Sequence, residues 1–341
     1  KKIFITGVTG QDGSIMADYI IKNSADSVIG GVRSASDFYR GNIEHLQDNE
    51  RFLLVDLDVT DSKNTETVIK EYKPDYFINF AANSFVGSGW EMPANHMQTN
   101  AMAVLYQLEA LRRHAPLCRY YNAGSSEEFG DIISTPQTEK HPLRPTNPYG
   151  VSKCAARHLV KAYRDFYNIY AIQGFLFNHE GARRGEKFVT RKITKNVARI
   201  KNEYHLDSFE PLELGNIDSK RDWSDAEDFV EGVWLMLNQE EPKGYVLSSD
   251  EIHTIREFVE EAFNFAGFAV EKCEWVGEGI DEKYLHEGKV LMQINPDFYR
   301  PAEVELLWGD SSKARSDLGW EPKSSFLGLV KKMVDHDLAH G

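Results

Sequence analysis

The chain has 341 residues, 41% hydrophobic and 27% charged, and its 39 basic and 53 acidic side chains leave a net charge of −14. That composition excludes a disordered or collagen-like chain, and the acidic balance excludes nucleic acid as a partner, which needs a broadly basic face. At about 100–200 residues per domain, the length predicts two domains. Cys118, Cys154 and Cys273 are too few and too scattered for a disulfide framework or a zinc knuckle, and they fit a reducing compartment. Lys1 and Lys2 lead into a short apolar run and then into glycines, unlike a signal peptide. No stretch approaches the ~20 apolar residues of a membrane span, so the expectation is a cytoplasmic protein with no membrane partner.

Taken in chain order, the first half alternates two kinds of segment. Short β-branched or aromatic runs at Lys2–Thr6, Ser27–Arg33, Arg51–Leu57, Tyr76–Ala82 and Arg119–Ala123 predict strands. Between and after them, Ser14–Lys22, Ser62–Tyr72, Pro93–His114 and Pro148–Tyr167 carry helical apolar spacing. The alternation predicts an α/β fold, a doubly wound parallel sheet. Its strands are continuously apolar, as expected when helices cover both faces. The second half predicts a strand at Tyr170–Phe177, helices at Phe188–Lys201 and Ala226–Leu237, and a short strand at Tyr245–Leu247. A capping box at Thr254 and Glu257 opens a further helix that Gly267 stops. Gly277–Gly288 reads as a loop and Ser324–Leu338 as an amphipathic helix. The chain is expected to pass back into its first domain around Trp223–Ser249.

The sharpest local signal is Thr6-Gly7-Val8-Thr9-Gly10-Gln11-Asp12-Gly13, after the first strand and at the start of the first helix. Gly7 permits a tight turn, Gly10 lets backbone approach a pyrophosphate, and Gly13 lets helix pack on strand. With Thr9, Gln11 and Asp12, these glycines form a candidate phosphate cradle at a helix N-terminus. The spacing differs by one residue from the usual dinucleotide fingerprint. Arg33, where the second strand ends, suits the 2′-phosphate of NADP, since an acid at that place would favour NAD. Asp58 follows the third strand and is a candidate for the adenine edge, and Val59 beside it is a further cofactor-binding candidate.

Tyr149 and Lys153 stand four apart on a predicted helix and share a face. A neighbouring ammonium favours the phenolate, which predicts Tyr149 as a base. Where the fifth strand ends, Gly124-Ser125-Ser126-Glu127-Glu128-Phe129 offers small hydroxyls and a carboxylate, at the edge where ligands sit in such sheets. A basic run, Arg183, Arg184, Lys187, Arg191, Lys192, Lys195, Arg199 and Lys201, followed by Lys220 and Arg221, predicts a local anion site. His336 and His340 have zinc-helix spacing, but Asp337 stands where the hydrolase motif has Glu, and no metal is expected.

These segments together resemble the extended short-chain dehydrogenase/reductases and, among them, the GDP-mannose 4,6-dehydratases. The resemblance runs over nearly the whole chain. It rests on Gly7 to Ser14, Ser125-Ser126-Glu127, Pro148 to Lys153, Leu176 to Glu180, Arg184 to Lys192, Leu214-Gly215-Asn216, Lys220 to Trp223, and Tyr299 to Val304. It implies a Rossmann-type NADP domain of residues 1–177 with about 223–249. A smaller, discontinuous α/β domain for the nucleotide sugar would comprise about 178–222 with 250–341.

By that resemblance Ser125, Glu127, Tyr149 and Lys153 are catalytic. Tyr149 would take the 4-hydroxyl proton and Glu127 the C5 proton, with loss of the 6-hydroxyl as water. Phe80, Ala82, Ser84, His179 and Arg184 would join the cofactor cradle. Ser84, Ser126, Asn178, Val189, Lys192, Arg221, Arg300 and Glu303 would hold a GDP-sugar. The resemblance further implies a homodimer or homotetramer, with Arg33 to His45 near the tetramer contact.

Five departures stand out. Ser34 replaces a second Arg, Gly124 a Ser, Ser125 a Thr, Glu128 a Leu or Met, and Gly181-Ala182 a Ser-Pro pair. The first bears on the choice of NADP; the others reshape the sugar pocket and leave room for a GDP-heptose as substrate. A 4-epimerase or reductase would need the Tyr/Lys pair but not Glu127.

Overall fold

The structure is a computed structural model that describes residues 1–33, 41–206, 208–299 and 306–341. Ser34, Arg300 and Glu303, together with most of the Arg33–His45 stretch, lie outside the described residues. The first half runs β1 (Lys2–Thr6), α1 (Gln11–Asn23), β2 (Ser27–Val32), β3 (Phe52–Asp56), α2 (Ser62–Tyr72), β4 (Tyr76–Asn79), α3 (Pro93–Met97), α4 (Ala103–His114), β5 (Arg119–Asn122), α5 (Pro148–Tyr167) and β6 (Ala171–Gln173). The six strands form one sheet in the order β3-β2-β1-β4-β5-β6, parallel throughout. The winding reverses between β1 and β4, and ligands bind outside the carboxyl ends of the strands at such a switch point.

Strand residues alternate between two cores. Ile3, Ile5 and Ile78 face the side covered by α1 and α7 (Ala226–Leu237). Phe4, Phe77 and Tyr120 face α2, α4 and α5, with Phe4 and Phe77 stacked at 5.0 Å. All six are buried, and each such side chain contributes roughly 1.5–3 kcal/mol by leaving water.

At the carboxyl edge the apolar pattern gives way to polar side chains in register. Thr6 Oγ1 donates to Asn79 Oδ1 at 2.6 Å, Asn79 Nδ2 to Asn122 Oδ1 at 2.7 Å, and Asn122 Nδ2 to Gln173 Oε1 at 2.7 Å. Because each bond is buried and satisfied, this ladder ties four strand ends together without leaving an orphaned group.

The second half adds β7 (Phe175–Leu176), β8 (Asn178–Glu180), α6 (Val189–Glu203), β9 (Leu212–Leu214), β10 (Lys220–Arg221), β11 (Trp223–Asp225), α7, β12 (Val246–Leu247), β13 (His253–Thr254), α8 (Ile255–Phe265), β14 (Cys273–Val276), β15 (Lys283–His286), β16 (Lys289–Ile294), α9 (Ser312–Leu318) and α10 (Phe326–His340). A separate core gathers α6, α8, α10, β9 and β16 around Phe258, Phe263 and Met333. The capping box at Thr254 and Glu257 is present.

The elements depart from expectation in several places. The expected loop at Gly277–Gly288 contains β15, the middle strand of an antiparallel meander with β14 and β16. Only Tyr284 and His286 on that strand are buried, too short an alternation to show through the flanking glycines. The helix expected over 93–114 carries a widened π turn at Gln98–Met102. In that turn Asn100 is buried and bonds both backbone groups of Asn83 and the hydroxyl of Ser152. The single strand expected at 170–177 divides at Gly174, where β7 leaves to pair with β12. Among the described residues no helix is long and apolar enough to cross a membrane.

Candidate active site

The β1–α1 turn follows the roles read for its glycines. Gly7 has φ +66, and a side chain there would meet Ala81 N at 2.8 Å; one at Gly13 would meet Gly7 O at 2.3 Å. Gly10 is the N-cap of α1 and carries no capping side chain, so the helix N-terminus faces the cavity bare. The first turn of α1 is Gln11-Asp12-Gly13, so the helix begins three residues before the expected Ser14.

Asp12 and His179 pair across the floor. His179 Nε2 meets Asp12 Oδ2 at 2.8 Å and its Nδ1 meets the Phe177 carbonyl at 2.8 Å. Both partners are acceptors, an arrangement that favours a proton on each ring nitrogen. Burial pulls its pKa down, but the Asp12 carboxylate outweighs burial and the imidazole ends above its ordinary value.

Ser125, at the end of β5, caps a short 3₁₀ turn over Ser126–Glu128: its Oγ accepts from Glu127 N at 3.2 Å, and Glu128 returns the bond to Ser125 N at 2.9 Å. α5 begins at Pro148, so Tyr149 and Lys153 lie on its first turns, both buried. Lys153 Nζ donates to Ala123 O at 2.7 Å and sits 5.8 Å from the centre of the Tyr149 ring. Phenol, ammonium, the Ser125 and Ser126 hydroxyls and the Glu127 carboxylate all line one cavity.

The electrostatics correct one expectation. The ammonium was expected to hold Tyr149 toward phenolate, but burial dominates and pushes the phenol up to about 12, with Ser125's hydrogen bond opposing and Glu127 and Glu128 adding to the rise. Burial likewise pulls Lys153 down to about 8, against the nearby carboxylates of Glu128 and Asp12.

The basic run divides into two sets. Arg183 pairs with Asp18, Arg191 with Asp337, Lys195 with Glu186 and Arg199 with Glu203, all ties within the fold. Lys187, Lys192 and Arg221 line the cavity, and Arg184 does both, pairing with Glu180 at 3.0 Å while lining the same cavity. Arg184 lies over the Phe188 ring at 3.6 Å, and Lys192 over Phe298 at 3.6 Å.

The remaining candidates that are described, Arg33, Asp58, Val59, Phe80, Ala82, Ser84, Asn178 and Val189, line the same cavity, whose volume is about 1180 Å³. Pockets for a single drug-sized ligand span ~300–1,000 Å³, and this cavity lies above that range. Asn178 Oδ1 and Gln11 Oε1 are buried there without a protein partner.

The sequence reading missed Asn147. It is the N-cap of α5; its Oδ1 accepts from Gly150 N at 2.8 Å and its Nδ2 donates to Glu127 Oε2 at 2.9 Å. Asn before Pro148 at the helix start is a legible capping signal, but the second bond is visible only in three dimensions.

A family model described as GDP-mannose 4,6 dehydratase matches residues 4–333. A Drosophila melanogaster protein named GDP-mannose 4,6 dehydratase is 42% identical over 348 residues, covering 99% of this chain and 86% of its own. A Vibrio cholerae GDP-mannose 4,6-dehydratase is 39% identical over 357 residues, covering 99% of this chain and 94% of its own. Among solved structures, a Bacillus cereus UDP-glucuronic acid 4-epimerase in complex with UDP-glucuronic acid and NAD superimposes with TM-score 0.83 at 21% identity over 100% of both chains. The dTDP-glucose 4,6-dehydratase of Bacillus anthracis in complex with NAD does so with TM-score 0.81 at 20% identity, over 98% of this chain and 96% of that one. At that identity the solved structures establish the shared fold.

Proposed function

The chain belongs to the GDP-mannose 4,6-dehydratase family, and from this we propose that it converts GDP-mannose to its 4-keto-6-deoxy product with loss of water. The observation that carries the reading is Glu127: a carboxylate in the same cavity as Tyr149 and Ser125, which an epimerase or reductase does not need.

The residues fit a dinucleotide. The glycine turn leaves a helix N-terminus uncovered, and Gln11 Oε1 stands buried and unpartnered beside it. Gly7, Thr9, Gly10, Gln11, Asp12 and Gly13 would cradle the pyrophosphate. Asp58 and Val59 would flank the adenine, and Arg33 would meet the 2′-phosphate, which makes NADP the cofactor. When bound, an oxidised nicotinamide would supply the hydride acceptor and later return the hydride.

The chain's own side chains move the protons. Tyr149 receives the proton of the sugar 4-hydroxyl, and the Ser125 hydroxyl donates to the oxygen left behind. Lys153, held by Ala123 O, balances the phenolate. A ketone at C4 acidifies the proton at C5, which Glu127 removes and delivers to the departing 6-hydroxyl; the hydride taken from C4 enters C6 in the return step, and a proton restored to C5, matched by the one Tyr149 took from the 4-hydroxyl, closes the balance. Asn147 keeps that carboxylate turned toward the cavity. Asn178, Val189, Lys192 and Arg221 would hold the GDP moiety. We assign residues 1–177 with 223–249 to the cofactor and 178–222 with 250–341 to the sugar nucleotide, and the active protein as a homo-oligomer.

The test is a panel of GDP-mannose, a GDP-heptose, and UDP-, CDP- and dTDP-sugars, followed for a 4-keto product without net consumption of nicotinamide. Turnover of GDP-mannose is expected; turnover only of another sugar nucleotide would overturn the substrate. Arg33→Ala is expected to weaken NADP about 10–100-fold, as for loss of a charge-assisted hydrogen bond, and NAD less than threefold. Equal losses in binding titrations would refute the phosphate contact.

A further inference from the structure

Glu128 has no part in the mechanism above, yet it is the most enclosed carboxylate near it, with no solvent exposure. Its Oε1 accepts from Ser125 N at 2.9 Å, from Arg157 Nη2 at 3.1 Å and from Gln173 Nε2 at 3.1 Å, while Oε2 accepts from Arg157 Nε. Arg157, on α5 one turn beyond Lys153, also donates to the carbonyls of Gln173 and Gly174, both at 2.9 Å, and lies over the Phe175 ring at 3.4 Å. Gln173 ends the polar ladder of the sheet and donates to the Lys153 carbonyl at 3.0 Å.

One carboxylate therefore joins three bodies: the turn that carries Ser125 and Glu127, the helix that carries Tyr149 and Lys153, and the edge of the sheet. Two of the sequence departures meet in space. A side chain at Gly124 would collide with the Gly174 carbonyl and would also lie 2.7 Å from Glu128 Oε1 and 2.7 Å from Arg157 Nη2, so the glycine answers to the backbone first and leaves room for the ion pair as well.

The geometry points to Glu128 as a positioning residue for the dehydration, acting through Arg157 to hold the Ser125–Glu127 turn at its distance from Tyr149 and Lys153. This rests on the dehydratase reading of the same site. Misplacing a catalytic group by about 1 Å costs on the order of 10²-fold in rate, so the strut has kinetic weight. A charge effect accompanies it. The groups facing Lys153 are Asp12 from α1, Glu128 from the turn, Arg157 and Tyr149 from α5, and His96 from α3; Glu128 exerts the strongest charge among those acting on the ammonium and favours its protonated form.

A buried ion pair can be replaced by apolar residues of similar volume with little loss of stability, whereas removing one partner destabilises. The test is therefore the double variant Glu128→Leu with Arg157→Leu beside Glu128→Gln and the wild type. In the double variant the melting temperature is expected to stay near wild type. The kcat of the double variant is expected to fall at least tenfold with KM within threefold, and in Glu128→Gln, where Arg157 keeps its charge, the alkaline limb of the pH profile is expected to move to lower pH. A double variant with wild-type kcat would show the pair to be structural only and overturn the proposal. NMR titration of the Lys153 ammonium needs no turnover: a lower titration point in Glu128→Gln supports the proposal, and an unmoved one overturns it. Failure of the wild type to dehydrate any GDP-sugar would instead sink the dehydratase reading.

Discussion

Glu127→Gln is expected to lower product formation roughly 10²–10⁴-fold, the range that a positioned acid–base group contributes, while NADP affinity changes less than threefold. Gln keeps the size of the side chain and its acceptor oxygen, so Asn147 retains its partner and the turn keeps its shape. What disappears is the capacity to take a proton from C5 and hand one to the leaving hydroxyl. The variant should therefore still oxidise the sugar, and a GDP-hexose with a ketone at C4 and an intact 6-hydroxyl should accumulate. Solvent deuterium should no longer enter C5. Mass spectrometry of quenched reactions reads both outcomes, and a normal yield of the 6-deoxy product would remove Glu127 from its assigned role.

Tyr149→Phe should be as severe, about 10²–10⁴-fold, but at a different point: the sugar is recovered untouched, with neither C4 oxidation nor C5 exchange. The phenol is buried and its only assigned work is at its oxygen, so the folded protein should lose little stability. Recovery of the C4 ketone from this variant would place the base elsewhere. The neighbouring ammonium sets the alkaline limb of the wild-type pH profile. Lys153 has its pKa lowered to about 8 by burial, so its positive charge is present below that pH and lost above it. Turnover should accordingly fall as pH rises through about 8, measured as kcat/KM with free enzyme. Activity that holds unchanged to pH 10 would show that the ammonium is not required.

Much of the frame was legible because it depends on local pattern. Helices over 62–72, 148–167 and 226–237 begin and end where their apolar spacing does, since caps and periodicity act within a few residues. The glycine turn was legible because Gly7 and Gly13 answer steric demands that any β–turn–α of this kind makes. The meander was not, because β14, β15 and β16 owe their pairing to one another and bury few side chains each. The basic run misled in part for the same reason: whether Arg191 meets Asp337 or a ligand is decided 146 residues away.

The sequence by itself determined the doubly wound frame, the cradle, and which side chains are chemically able to act: one phenol, one ammonium, one carboxylate and a pair of hydroxyls. These follow from residue type and short spacing. The tertiary structure alone decided their state and their company. Burial, a property of the packed molecule, raises the phenol and lowers the ammonium. Asn147 and Glu128, ordinary polar residues along the chain, become the ties that set one catalytic element against another, because a hydrogen bond between segments exists only once both have been folded into place.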